Sequence, residues 1–481
     1  MKINSIILFS WVFCSAAVAQ TDPALYDTDK LTPEFHAGRR AALRAIMPPN
    51  TALVVFANPE RNRNNDTDFQ YAQNPNFYYL TGYGEPNALL VLTKDEATAG
   101  SQRGTEFFFA QERNPAREVW TGRRLGKEGA ARDLKLQNTN LGNDFARFPI
   151  DFAKFDSVLC ILPEGAVNGF NPKDSSDLYD LISQFKTKTT GRTVSEGKLY
   201  QLMAQLRQQK LPEEMVLLRK AIDITAEGHR EVMKFLEPDV TEYQGQSVME
   251  YVFKKNGSEY VGYGSIAGGA ENSCILHYIT NRRTLKNGDL FLADCGAEYH
   301  GYTADITRTM PVNGTFSPEQ RLIYDLVLAA QEAGFAACQP NKPYQQVHQA
   351  AFRVVKEGLV KLGIATDSLT TRRYFMHGTA HSLGLDVHDA MIFRNPATGQ
   401  TGPRQGPTML PNFVTTVEPG IYIPANSPCD PKWWNIGVRI EDDVLITETG
   451  HEVLSLSAPR TAADIEKLMR EKSDFKKPAK R

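Results

Sequence analysis

Phe291-Leu292-Ala293-Asp294 and Tyr302-Thr303-Ala304-Asp305 flank Cys295 and a turn-rich stretch over residues 296–301. Each run ends in an acid, and Gly296 and Gly301 lie between them, so the segment reads as a β-hairpin. The two aspartates are eleven residues apart. Strands folded back on one another lie about 4.8 Å apart and alternate their side chains, so both carboxylates can share one face. The same alternation sends Cys295 to the opposite face. Carboxylates that close repel unless a cation or a proton lies between them. Alone, the pair is also compatible with two separate acids at a strand end and a turn.

Downstream, three further donors follow or adjoin apolar, strand-like residues. His381 stands in Met376-His377-Gly378-Thr379-Ala380-His381-Ser382-Leu383-Gly384, Glu418 in Thr416-Val417-Glu418-Pro419-Gly420, and Glu441 in Gly437-Val438-Arg439-Ile440-Glu441-Asp442. Four buried carboxylates without compensation cost several kcal/mol each, and two divalent cations balance their charge. Four oxygen-donor side chains with one imidazole and no thiolate favour Mn²⁺, with Co²⁺ or Zn²⁺ as feasible substitutes. Two such ions about 3.5 Å apart can activate a bridging water beside a polarised carbonyl, which is the chemistry of peptide or amide hydrolysis. A helical His-x-x-x-His zinc pair of His377 with His381 is the competing reading, and Gly378 and Gly384 speak against a helix there.

The remaining composition narrows the class. The chain has 481 residues, 41% hydrophobic and 23% charged, the balance of a globular protein of more than one domain. Basic and acidic residues nearly cancel, 54 against 56, which removes the electrostatic footprint of a nucleic-acid binder. Lys2, an apolar run over residues 6–13 and the small Ala17 and Ala19 read as an export signal over residues 1–19, giving a periplasmic or secreted protein. That run is well short of the roughly 20 residues that span a bilayer, so no stable membrane insertion is expected. A lipid on Cys14 fits poorly behind the bulky Phe13. Cys160, Cys274, Cys295, Cys338 and Cys429 remain after cleavage, with no short C-x-x-C spacing, and read as small buried hydrophobes.

Short apolar runs at residues 52–57, 88–93 and 107–110 with Gly and Pro punctuation indicate an α/β domain over residues 30–200. Pro212, Glu213 and Glu214 open a helix that carries Leu218, Ile222, Ala226, His229, Met233 and Leu236 on one stripe, until Pro238 stops it. His229 on that stripe reads as a packed core residue. A second, catalytic domain is expected over residues 205–465, and residues 466–481 as a basic, solvated tail.

The chain resembles the pita-bread metallopeptidases, and within them aminopeptidase P. Glu271-Asn272-Ser273-Cys274-Ile275-Leu276-His277-Tyr278, residues 294–314 and the three motifs above carry the resemblance. In the amino-terminal half Asn76-Phe77-Tyr78-Tyr79-Leu80-Thr81-Gly82 and Glu118-Val119-Trp120-Thr121-Gly122-Arg123 look like that family's amino-terminal domain. The resemblance implies Asp294, Asp305, His381, Glu418 and Glu441 as ligands of two metal ions, with Asp305 and Glu441 bridging and Glu418 also shuttling a proton. It implies His277, His377 and His388 as non-ligand active-site histidines that donate to the substrate carbonyl and the tetrahedral intermediate. Arg439 and Tyr422 match further active-site positions, Arg439 gripping a carboxylate with its fork or serving as a structural salt bridge. The substrate so implied is a peptide with proline second, cleaved by a metal-bridging water, and the family often forms dimers or tetramers. A Gly/Pro-rich stretch over residues 395–411 looks longer than in shorter bacterial relatives, which bears on substrate size.

Tyr263-Gly264-Ser265-Ile266-Ala267-Gly268-Gly269 lacks the Lys-Ser/Thr ending of a phosphate loop, and there is no Gly-x-Ser-x-Gly elbow or His-Glu-x-x-His helix. The rivals that remain are a proline dipeptidase with the same ligand set, disfavoured by the amino-terminal motifs and by Leu385-Asp386-Val387-His388-Asp389, and a metal-free peptide-binding protein of the same fold. The second would lack the ligand carboxylates, and all five ligand positions are filled.

Overall fold

The computed structural model describes residues 28–163, 176–392 and 407–476. The export segment with Cys14, most of the 395–411 stretch and the last residues of the basic tail lie outside them. Among the described residues no helix is long and apolar enough to cross a membrane.

The amino-terminal half is a mixed sheet of six strands: β1 (Thr51–Phe56), β2 (Leu89–Ala99), β3 (Gln102–Ala110), β4 (Thr139–Leu141), β5 (Ser157–Ile161) and β6 (Val194–Ser195), in the order β4-β3-β2-β1-β5-β6. The three apolar runs of the sequence form its centre. Alternation divides them between two layers: Ala52, Val54 and Phe56 with Leu89, Val91, Phe107 and Phe109 face a core closed by the helix Ser176–Lys188. Leu53, Val55, Leu90, Leu92 and Phe108 face the other way, into a core that continues through the second half of the chain to Leu218, Phe291 and Tyr302. Leu31–Arg481 is one compact unit.

The helix opened by Pro212 spans Pro212–Phe235, with Glu214 accepting from the Leu211 amide at 2.9 Å. His229 is fully buried in it, its Nε2 2.9 Å from the Ile306 carbonyl. Gly228 lets the helix Glu242–Lys255 come close, since a Cβ there would meet Met249 at 2.6 Å.

The catalytic half holds β7 (Ile266–Gly269), β8 (Leu290–Cys295) and β9 (Ile306–Pro311) in one antiparallel sheet. The hairpin expected from the sequence is more elaborate. Asp294 pairs with Thr307, and Tyr302-Thr303 instead closes a nested hairpin with Ala297–Tyr299. Gly301, at a φ of +85°, makes that inner turn. Beyond it lie β10 (Val414–Val417), β11 (Gly420–Ile423), β12 (Ile436–Arg439) and β13 (Asp442–Ile446), with β10 paired to β13 and β11 to β12. A bridge between Thr307 and Glu441 joins β9 to the turn between β12 and β13. Gln331, buried on the helix Pro318–Ala337, donates to the carbonyls of Val417 and Ile440 and to Asp442, which fixes the backbone next to Glu418 and Glu441.

Candidate metal centre

Asp294 and Asp305 bracket the nested hairpin, one near the end of β8 and one just before β9. Glu418 follows β10, Glu441 sits between β12 and β13, and residues 379–382 run alongside β10. His381 and Thr416 exchange bonds there, and the Glu418 amide donates to the Thr379 carbonyl at 2.7 Å. Residues 376–392 are not helical, so the zinc-pair reading of His377 and His381 falls.

The five expected ligands converge. Ligand atoms of Asp305, His381 and Glu441 lie within 4.8 Å of one another, and His381 Nε2 stands 3.3 Å from Asp305, 3.8 Å from Glu418 and 3.8 Å from Glu441. Arg439 Nη2 holds Asp294 Oδ2 at 2.5 Å, while its Nη1 donates to the Tyr422 hydroxyl at 2.8 Å. Its two terminal nitrogens therefore serve different groups, with longer contacts from Nε to Thr307 at 3.3 Å and from Nη2 to the Leu276 carbonyl at 3.4 Å. Asp294, Asp305, His277, His377, His381, His388, Glu418, Arg439 and Glu441 line one cavity of about 650 Å³. Tyr422 is fully buried behind its wall.

Two residues that the sequence reading passed over complete the cluster. The Tyr263 hydroxyl is 2.6 Å from Asp294 Oδ1 and 2.5 Å from Asp305 Oδ1. Thr307 donates its hydroxyl to Glu441 Oε2 at 2.6 Å. Tyr263 lies in the glycine-rich run, where no spacing marks it, whereas Thr307 sits inside the hairpin and the 11-residue interval pointed near it.

The electrostatics ask for cations. Burial and neighbouring carboxylates raise Asp305 and push Glu441 well up, and they raise Glu418 to about 7 against the pull of His381 and Arg439. Burial opposes a charge on His381, yet the hydrogen bond its Nε2 donates to Asp305, with the charges of Asp305 and Glu418, outweighs it and raises the imidazole pKa to about 9. One hydroxyl proton on Tyr263 cannot satisfy two carboxylate oxygens at once. An all-oxygen set with one imidazole therefore fits divalent metal ions, whose charge replaces the missing protons. Cys295 takes no part: its Sγ faces the Ile266 carbonyl at 3.9 Å, and burial pushes its thiol well up.

A family model of metallopeptidase family M24 matches residues 216–448, and one of the aminopeptidase P amino-terminal domain matches residues 36–155. The Xaa-Pro aminopeptidase of Haemophilus influenzae is 37% identical over 92% of this chain and 98% of its own length. The chain belongs to the aminopeptidase P group of the M24 metallopeptidases. The solved structure of the Pseudomonas aeruginosa aminopeptidase superposes with a TM-score of 0.80 at 36% identity, covering 92% of this chain and 98% of that one. Escherichia coli aminopeptidase P with the inhibitor Pro-Leu gives 0.81 at 34% identity, over 92% and 98%. The fold is thus the pita-bread fold behind an aminopeptidase P amino-terminal domain, and the chain is a metallo-exopeptidase that takes divalent metal ions.

Proposed function

We propose that the chain, after export, releases the first residue of peptides whose second residue is proline. The convergence of Asp294, Asp305, His381, Glu418 and Glu441 in one cavity carries the metal-dependent hydrolysis, and the likeness to Xaa-Pro aminopeptidases supports proline in second position. These five would hold two ions, Mn²⁺ first among the choices, and the bound ions would supply charge neutralisation and an activated water.

The chain's own groups would do the rest. Glu418, 17% exposed and poised at about 7, is suited to take a proton from the attacking water and return it to the leaving nitrogen. His277 and His388 are exposed at the cavity and can donate to the substrate carbonyl and its tetrahedral form. His377 has both ring nitrogens engaged, Nδ1 with the Gly378 carbonyl at 2.6 Å and Nε2 with Tyr422 at 2.7 Å, so it orients the wall beside Glu418. Arg439 anchors Asp294.

The test is hydrolysis of Xaa-Pro, Xaa-Pro-Xaa-Xaa and Xaa-Ala-Xaa-Xaa by chelator-stripped, Mn²⁺-reloaded enzyme. Metal-dependent cleavage of the longer proline peptide supports the reading. Cleavage of the dipeptide alone makes the chain a proline dipeptidase, and cleavage of none under any metal makes it a binding protein. The same reading places the mature chain outside the cytoplasm as a homo-oligomer built through its amino-terminal domain. Cell fractionation and solution mass measurement check both.

A further inference from the structure

A second charged cluster lies behind the cavity, at the junction of the two halves. Arg207 ends the helix Glu196–Arg207 and Lys210 precedes the helix opened by Pro212; both side chains are almost fully buried. Arg207 Nη2 donates to Asp386 at 2.7 Å and to Asp389, and its Nη1 to Asn76 at 2.7 Å. Lys210 Nζ donates to the other oxygen of Asp389 and to the Arg207 carbonyl, at 2.7 and 2.6 Å.

Asp389 directly follows His388. Its amide donates to the Ser382 carbonyl at 2.9 Å and its own carbonyl accepts from the Ser382 hydroxyl, which closes residues 382–389 into a loop. The His381 and His388 rings flank the neck of that loop, with centroids 4.0 Å apart. Packing is tight enough that a Cβ on Gly384 would lie 2.1 Å from Asp389 Oδ2 and 2.8 Å from Lys210 Nζ. The junction also holds the chain on both sides: Gln208 accepts from the Ile392 amide at 3.1 Å, and the Lys210 amide donates to the Asn412 carbonyl at 2.7 Å.

Buried ion pairs are weak sources of stability, because desolvation offsets the attraction, and well-packed apolar residues often do as well. The loop is also held through its middle and start, the Gly384 carbonyl accepting from the Thr303 amide at 2.9 Å and the Leu383 amide donating to the Val414 carbonyl at 3.2 Å, and what the ion pairs add is a fixed, directional hold at Asp389, next to His388. We propose that Arg207 and Lys210, through Asp389, are positioning residues for His388. The inference rests on the reading of His388 as a substrate-contacting histidine.

The experiment is a double-mutant cycle in the Mn²⁺-loaded full chain, combining Arg207→Met with His388→Ala and reading kcat/KM on Xaa-Pro-Xaa-Xaa, bound metal and Tm. Arg207→Met alone is expected to lower kcat/KM by about 10- to 100-fold with metal content kept. In the His388→Ala background it is expected to cause no further loss. If Arg207→Met fails to fold, Arg207→Lys takes its place, since an ammonium keeps the charge but lacks the planar fork that holds Asn76 through Nη1 and the two aspartates through Nη2. Its smaller loss should likewise vanish without His388. A loss that persists in full in the His388→Ala background overturns the inference alone. A His388→Ala enzyme as active as the parent removes the role of His388, and the inference with it.

Discussion

The Tyr422 hydroxyl lies 2.7 Å from Nε2 of His377, and the same oxygen accepts from Arg439 at 2.8 Å. The Gly378 carbonyl beside Nδ1 can only accept, so the proton of the neutral His377 ring sits on Nδ1, and Nε2 accepts from the Tyr422 hydroxyl. Burial and the charge of Arg439 keep that ring neutral, with its pKa lowered to about 4.

Tyr422→Phe removes the donor to Nε2 that supports this tautomer and holds the ring. We expect kcat to fall by about tenfold or more with metal content unchanged, the usual effect of losing a supporting hydrogen bond at such a site. Steady-state kinetics on the longer proline peptide checks it, and a parental kcat would refute the relay from Arg439 through Tyr422 to His377.

Chelation should destabilise the protein, because the clustered carboxylates then repel one another. Saturating divalent metal at about 1,000 times its Kd adds roughly 4 kcal/mol. Glu441→Gln should remove much of that response, and the stripped variant should be at least as stable as the stripped parent. Thermal unfolding with and without chelator reads both, and an equal Tm response in parent and variant would mean that Glu441 does not hold metal.

Arg308 is fully buried, paired with Asp442 at 2.6 Å and donating to the carbonyls of Thr307, Glu441, Ala458 and Pro459. Arg308→Met would leave Asp442 charged and unpaired, a cost of about 3–5 kcal/mol. Denaturant unfolding of the metal-loaded protein measures it. A change inside about 0.5 kcal/mol, the range of an ordinary surface substitution, contradicts this assignment.

Glu298, outside the metal cluster, makes its own contribution to the pH dependence of stability. Burial, with Glu259 and Asp386 nearby, raises its carboxyl from 4.5 to about 7. The native state thus keeps a proton that the unfolded chain has already released, so this group's contribution is fully present below about 4.5 and is lost as pH rises through 7. Glu298→Gln should be more stable than the parent at pH 8, by about 2 kcal/mol, and the gain should shrink toward pH 5. A gain independent of pH would point to packing instead.

Much of the candidate site is legible in the sequence because the expected carboxylate ligands stand in or beside strands that alternation or an apolar run reveals: Asp294 in β8, Asp305 before β9, Glu418 after β10, Glu441 before β13. The three amino-terminal runs likewise announce β1, β2 and β3. What escaped reading depends on chain segments distant in sequence. Tyr263 reaches the aspartates only because β7 folds against β8, and Arg207 meets Asp389 across 182 residues. The inner turn at Gly301 escaped for a different reason: a two-strand hairpin and a nested one share the same alternation, and only the pairing register distinguishes them.

The chain on either side of residues 393–406 is anchored, by a side-chain acceptor before it and by backbone bonds after it. Ile392 is tied to Gln208, Pro407 accepts from the Tyr344 amide at 2.9 Å, and Met409 exchanges bonds with Asn341 and Lys342. Those ties fall outside the closed loop that carries His388. A change of length between those anchors, including a grafted foreign segment, should therefore leave the registration of His381 and His388 untouched.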